Sequence, residues 1–391
     1  MPKIGNPTLG WLRVLLALMV IDFHYGFFYG HVGPILIKQM GPLAWLHDGI
    51  LAVFGFFILS GYLIADMVEE RYPIKNGGDF GHFLLGRYAR IYPLYWIVLT
   101  ACIAAKASTQ IEWGKVIVNF LLFPYGFWSF FMNHKQFGEL ASHLTLSPAW
   151  TLSLDLVFYP IGAVLVIARK FLPLCIGICI AFVAFASWMS PQGIGNIQYN
   201  WWRVQFYTSI EPNLLAFLAG LLIRLKGRSL PRPPFLAIIA FFVLLYTAYV
   251  PWGLGYSSVY FLYIAALTWL VHHLCGAGRG PYESFLGNWT YSIYLIHIPI
   301  ETLTIYLLRE HLGHLEIASF LIDISLASLI AIFIETPLEK LRYVWLKSLF
   351  SQKNQNSKRN KNEIPWNYIA ATMCCLCFLS TCWYVLIEFE L

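Results

Sequence analysis

Arg13 and His24 stand on one apolar segment with ten residues between them. Eleven helical steps turn through about 1,100°, three full turns and roughly 20°, so both side chains share a face. The rise is about 16 Å, which sets Arg13 at a membrane boundary and His24 near mid-depth. A guanidinium at the boundary suits an anionic headgroup or a phosphate. An uncharged imidazole held deep can take up and return a proton near neutral pH. The bland alternative is an anchoring arginine and a histidine that hydrogen-bonds a neighbouring helix.

Other polar residues interrupt apolar runs in the same way, and each is a candidate because ionisable groups inside a bilayer are expensive. Arg87 and Arg90 precede Tyr92-Pro93 and make either a phosphate clamp or an ordinary basic boundary. Ser60-Gly61 sets two small residues in a bulky segment, where a ligand or a second backbone can come close. Trp150, Ser153 and Asp155 open a later apolar run; the tryptophan suits an interface, whereas Asp155 needs a partner or a task. His297 and Glu301 are four apart on one helical face, with Pro299 between them. Asp323 and Glu335 complete the set, some of which must be structural partners.

The elements that would position these residues are membrane helices. Of 391 residues, 59% are apolar, 17% aromatic and 12% charged, with a formal charge of +6. Soluble proteins are nearer 25% charged, and disordered or nucleic-acid-binding chains are far less apolar. The expected fold is an all-α polytopic bundle of about ten spans. Basic clusters at 71–90, 169–170, 224–232 and 340–361 mark cytoplasmic loops, which leaves the N-terminus cytoplasmic. Putting every cluster inside requires residues 111–148 to form a re-entrant or cap segment on the outer side rather than a span. The first segment, which contains Arg13, has no cleavage site after it and reads as a span. The eight cysteines lack zinc-ligand spacing and read as small apolar residues, so no metal is expected. The tract from Ser351 to Glu363 reads as a mobile linker, and 366–387 as an eleventh span. The expected organisation is a transmembrane domain over 1–345, a basic linker over 346–365 and an added helix over 366–391.

Five segments together resemble the integral-membrane acyltransferase-3 family. They are the Arg13/His24 pair, Phe56–Gly61 (Phe-Phe-x-Leu-Ser-Gly), Arg87–Pro93 (Arg-x-x-Arg-hydrophobic-Tyr-Pro), Trp150–Asp155, and Tyr291–His297. They fall in family order between about residues 8 and 345. Two positions depart from the pattern: Asp155 stands where the family has glutamate, one methylene longer, and Thr151 replaces a serine but keeps the hydroxyl.

The resemblance implies transfer of an acyl group, commonly acetyl, from acetyl-coenzyme A (an acyl-CoA donor) to a hydroxyl of a cell-envelope glycan or lipid-linked sugar at the inner membrane. It implies that Arg13, Arg87, Arg90, Ser60 and Gly61 hold the donor, and that His24 and Asp155 are catalytic. Trp150, Ser153, His297 and Glu301 would meet the acceptor. His24 would be the general base or, as an alternative, an acyl carrier. The rival functions are a transporter or flippase, and a sensor of the same fold without catalysis. A transporter would show paired broken helices in matching halves, and none is legible.

Overall fold

The structure, a computed structural model, describes residues 8–25, 49–105, 113–122, 146, 148–189, 210–249, 256–274, 283–308, 315–356 and five residues between 366 and 372. Among the described residues every regular element is a helix. The helices are α1 (Thr8–Tyr25), α2 (Gly49–Asp66), α3 (Gly77–Ala105), α4 (Trp113–Leu121), α5 (Ala149–Ile167) and α6 (Leu172–Met189). They continue with α7 (Ile210–Lys226), α8 (Pro234–Tyr249), α9 (Tyr256–Leu274), α10 (Glu283–Leu308), α11 (Leu315–Ile330) and α12 (Thr336–Asn356). In lipid a backbone must bond to itself, and a helix does so within one segment. Five-residue π turns, Met67–Arg71 and Ala331–Glu335, follow α2 and α11.

Among the described residues four stretches are long and apolar enough to cross a membrane: Leu51–Glu70, Gly77–Ala105, Ala149–Ile167 and Ala318–Leu346. This is a multi-pass membrane protein, and the expected count of ten spans plus one goes beyond those four. Its outer surface matches: Phe235, Ile238, Ile239 and Phe242 of α8 all face outward, as lipid contact requires.

Helix directions follow from side-chain contacts. Arg13 lies against Gly287 and His24 against His297, so α1 and α10 run parallel. Ser60 meets Asp155 and Glu69 meets Arg169, so α2 and α5 share a direction. A Cβ added at Gly61 would land inside the Phe217 carbonyl, and one at Gly220 inside the Ile58 carbonyl. The α2–α7 crossing therefore admits only glycine at both positions. One turn further along, Arg224 is gripped by Asp66, Glu69 and Glu70 at 3.0, 2.9 and 2.6 Å.

The core divides into two packed halves. One joins α2, α6, α7 and α9; the other joins α10 and α11; α1, α3 and α5 contribute to both. Phe56, Trp150, Tyr159 and Tyr294 touch both halves and so mark the seam.

Of the 111–148 segment, only 113–122, 146 and 148 are described, and 123–145 lies outside the described residues. The nine-residue α4 rises about 13 Å, under half a bilayer core. It runs back along α3, where three aromatic donors hold its last carbonyls. Tyr95 Oη donates to Asn119 O at 2.9 Å, Trp96 Nε1 to Phe120 O at 2.9 Å, and Tyr92 Oη to Leu121 O. Those carbonyls have no partner within α4 itself. Leu122 then turns the chain with φ 51°.

Helix α12 continues through Asn356, so the first part of the tract expected to be a linker is helical. The expected eleventh span falls mostly outside the described residues; Trp366, at its start, packs on Phe80 of α3 with ring centroids 5.3 Å apart.

Candidate active site

A cavity of about 240 Å³ opens in the seam, walled by α1, α2, α3, α5 and α10. Each helix brings a polar side chain from a different part of the sequence: Arg13, Ser60, Arg87 with Arg90, Asp155, and Tyr291 with Tyr294. Burying so many polar groups in an apolar bundle costs free energy unless they are paired or used.

The pairing is specific. Ser60 Oγ donates to Asp155 Oδ1 at 2.8 Å. The shorter aspartate side chain therefore reaches across to α2 at the family's glutamate position. Arg90 Nη2 donates to Asn288 Oδ1 at 2.7 Å, its other amino group pairs with Glu335, and its guanidinium lies 5.5 Å from the Tyr291 ring centroid. Asn288 in turn donates to Glu339 at 2.7 Å, and Arg342 approaches the same carboxylate at 3.4 Å. Tyr291 Oη is anchored on the Ile91 carbonyl at 2.7 Å, and the Thr151 and Tyr294 hydroxyls bond each other.

Of the residues expected to bind or react, five line this cavity: Arg13, Ser60, Arg87, Arg90 and Asp155. The others lie elsewhere. Gly61 faces α7, and what comes close to it is backbone rather than a ligand. Ser153 is fully buried and donates to the Trp150 carbonyl of its own helix at 2.5 Å. Trp150 packs in the seam outside the cavity wall. Glu301 lies one turn beyond His297 on α10, also outside it.

His24 is not a wall residue. Its ring lies 5.2 Å from that of His297, which lies 5.9 Å from Tyr294, the last α10 residue lining the cavity. His297 Nδ1 bonds the Tyr294 carbonyl at 2.8 Å. Three residues of helix rise only about 4.5 Å. The histidine pair thus lies one turn past the cavity wall, with Arg13 at the opposite end.

Tyr159, Asn288 and Glu339 belong to the cavity or its charge chain without standing out in the sequence. A tyrosine in an apolar helix looks like packing, and the carboxylates that hold Arg90 and Asn288 come from distant segments. Asp323 is fully buried, and neither oxygen has a hydrogen-bond partner among the described residues. Among those residues no three His, Cys, Asp or Glu side chains gather as a metal site would require.

The 24%-identical peptidoglycan O-acetyltransferase OatA of Listeria monocytogenes aligns with 95% of this chain and 61% of its own length. A Staphylococcus aureus (strain COL) protein, named provisionally as an O-acetyltransferase, is also 24% identical, over 85% of this chain and 57% of that protein. YrhL of Bacillus subtilis, named provisionally as a peptidoglycan O-acetyltransferase, is 23% identical over 42% of this chain and 24% of its own. The chain therefore spans less than two thirds of the length of these relatives. No solved structure matches it. The acyltransferase domain profile that defines the acyltransferase-3 family matches residues 6–337, and the chain belongs to that family.

Proposed function

We propose that the protein is a membrane O-acyltransferase. It moves an acyl group, acetyl by the family resemblance, from a cytoplasmic coenzyme A thioester to a hydroxyl of a cell-envelope glycan. The observation that carries this reading is the seam cavity, in which three arginines and the Ser60–Asp155 pair converge from four helices. The names of the relatives favour peptidoglycan as the glycan.

In this reading the N-terminus is cytoplasmic and about ten helices span, with α4 as part of a re-entrant cap on the outer side. Residues 1–345 form the catalytic domain, and 366–391 form an added membrane helix. The donor's phosphates stay at the Arg13 and Arg87 end, where guanidinium groups neutralise them. Its acyl arm enters the cavity. The acceptor arrives from the histidine end.

The acceptor oxygen attacks the thioester carbonyl carbon and forms the new C–O bond. Its proton passes to His24, which is uncharged beforehand. Collapse of the tetrahedral adduct breaks the C–S bond, and the departing sulfur takes the proton back to leave as free thiol. Asp155, held by Ser60, accepts a hydrogen bond from an acceptor hydroxyl and fixes its aim.

The test is mass spectrometry of envelope glycans from cells with and without the protein, paired with transfer of labelled acetyl from acetyl-coenzyme A in isolated membranes. An added acyl mass on a glycan is expected. Unmodified glycans and no covalent label in membranes that hold the folded protein would overturn the reading, and movement of an unmodified solute would replace it with transport.

A further inference from the structure

A second cavity, about 490 Å³, lies between the N-terminal half of α3 and the start of α12. Its volume is within the roughly 300–1,000 Å³ usual for small-molecule and cofactor sites. Four basic side chains line it, His82, Arg87, Lys340 and Arg342, with Tyr72 and Tyr343 between them; Glu339 is its one carboxylate. Arg87 also lines the seam cavity, so one guanidinium borders both chambers.

Helix α3 has 29 residues, about 43 Å, and α11 with its π turn and α12 continues for roughly 60 Å, both longer than a bilayer core of about 30 Å. In this reading the charged ends of these two helices, which form the chamber walls, reach the aqueous edge. Cations beside exposed aromatic rings suit a ligand that carries phosphate and a flat base. Tyr343, 65% exposed, is available for stacking.

We infer that this outer chamber holds the phosphorylated nucleotide end of the acyl donor, with Lys340, Arg342, His82 and Tyr343 as its binding residues and Arg87 as the threshold to the seam cavity. This rests on the donor reading above and revises its details. Arg90 is already engaged by Glu335 and Asn288, so it shapes the passage, while the phosphates bind further out. Arg342 remains in reach because its bond to Glu339 is long, 3.4 Å.

The test uses the purified full chain in detergent and two probes, coenzyme A and adenosine 3′,5′-bisphosphate. The bisphosphate should displace coenzyme A. Lys340→Gln and Arg342→Gln should each weaken both probes about tenfold, the scale of one charge-assisted hydrogen bond. In transfer assays they should raise the donor KM and leave kcat in place. Lys340→Gln and Tyr343→Ala, at exposed positions, carry the test should Arg342→Gln fail to fold. If coenzyme A binds but the bisphosphate does not compete, or the variants bind both probes normally, the chamber is not the nucleotide site. A headgroup site is the answer if phosphatidylglycerol nanodiscs exclude the bisphosphate and leave coenzyme A bound. Absence of coenzyme A binding to the unmodified protein would defeat the donor reading itself.

Discussion

At the scale of single residues, the site depends on a carboxylate and a hydroxyl from different helices. Asp155→Asn keeps the shape and removes the charge that would orient an acceptor in the proposed reaction; initial rates of acetyl transfer should fall about 100-fold or more. Ser60→Ala removes one hydrogen bond worth about 1 kcal/mol, so the same assay should show a loss nearer fivefold. Equal rates for Asp155→Asn and the unmodified protein would take Asp155 out of the reaction. Arg13, Ser60 and Asp155 were legible because polarity is rare in apolar runs. Gly61 is less legible for a physical reason: a missing Cβ marks close approach without saying of what, and here it is the Phe217 backbone. For His24, helical arithmetic gives only height and face; the ring it meets, His297, comes from α10.

At the scale of elements, packing is tightest where α2 and α7 touch backbone to backbone. Gly220→Val would drive its side chain into the Ile58 carbonyl, beyond the roughly 1–3 kcal/mol of ordinary overpacking. Loss of the monodisperse folded peak in fluorescence-detected size exclusion is the expected outcome. Helix α4 rests instead on side-chain donors. Trp96→Phe leaves the Phe120 carbonyl without its bond, at a cost of about 1–3 kcal/mol. A lower thermal midpoint and faster proteolysis within α4 should follow. Both π turns deliver acids to an arginine of another helix: Glu69 and Glu70 to Arg224, and Glu335 to Arg90. Hydropathy located these helices but not the π turns, since a widened turn leaves apolar content unchanged.

At the scale of the whole molecule, the cavity proposed as the reaction chamber lies in the joint between two packed halves, a common place for ligands to sit. Orientation across the membrane is tested at the exposed Ser229 after α7. Ser229→Cys should react with an impermeant maleimide, above the native cysteines, only once cells are permeabilised; labelling of intact cells would reverse the topology. Basic loops are the sequence's argument for the proposed orientation, whereas the second chamber left no such mark, because its walls join stretches from opposite ends of the chain. The π turn at Ala331–Glu335 has one consequence for how this fold tolerates deletion. It contains one residue more than an α-helical turn needs. Excising its outward-facing Phe333, 70% exposed, should let the rod close into uninterrupted α-helix with Asp323 and Arg342 still on their present sides. Dropping a residue from the regular stretch of α11 would instead swing everything downstream by about 100°. The shorter protein should therefore accumulate in membranes in the first case and be degraded in the second, as immunoblots of membrane fractions would record.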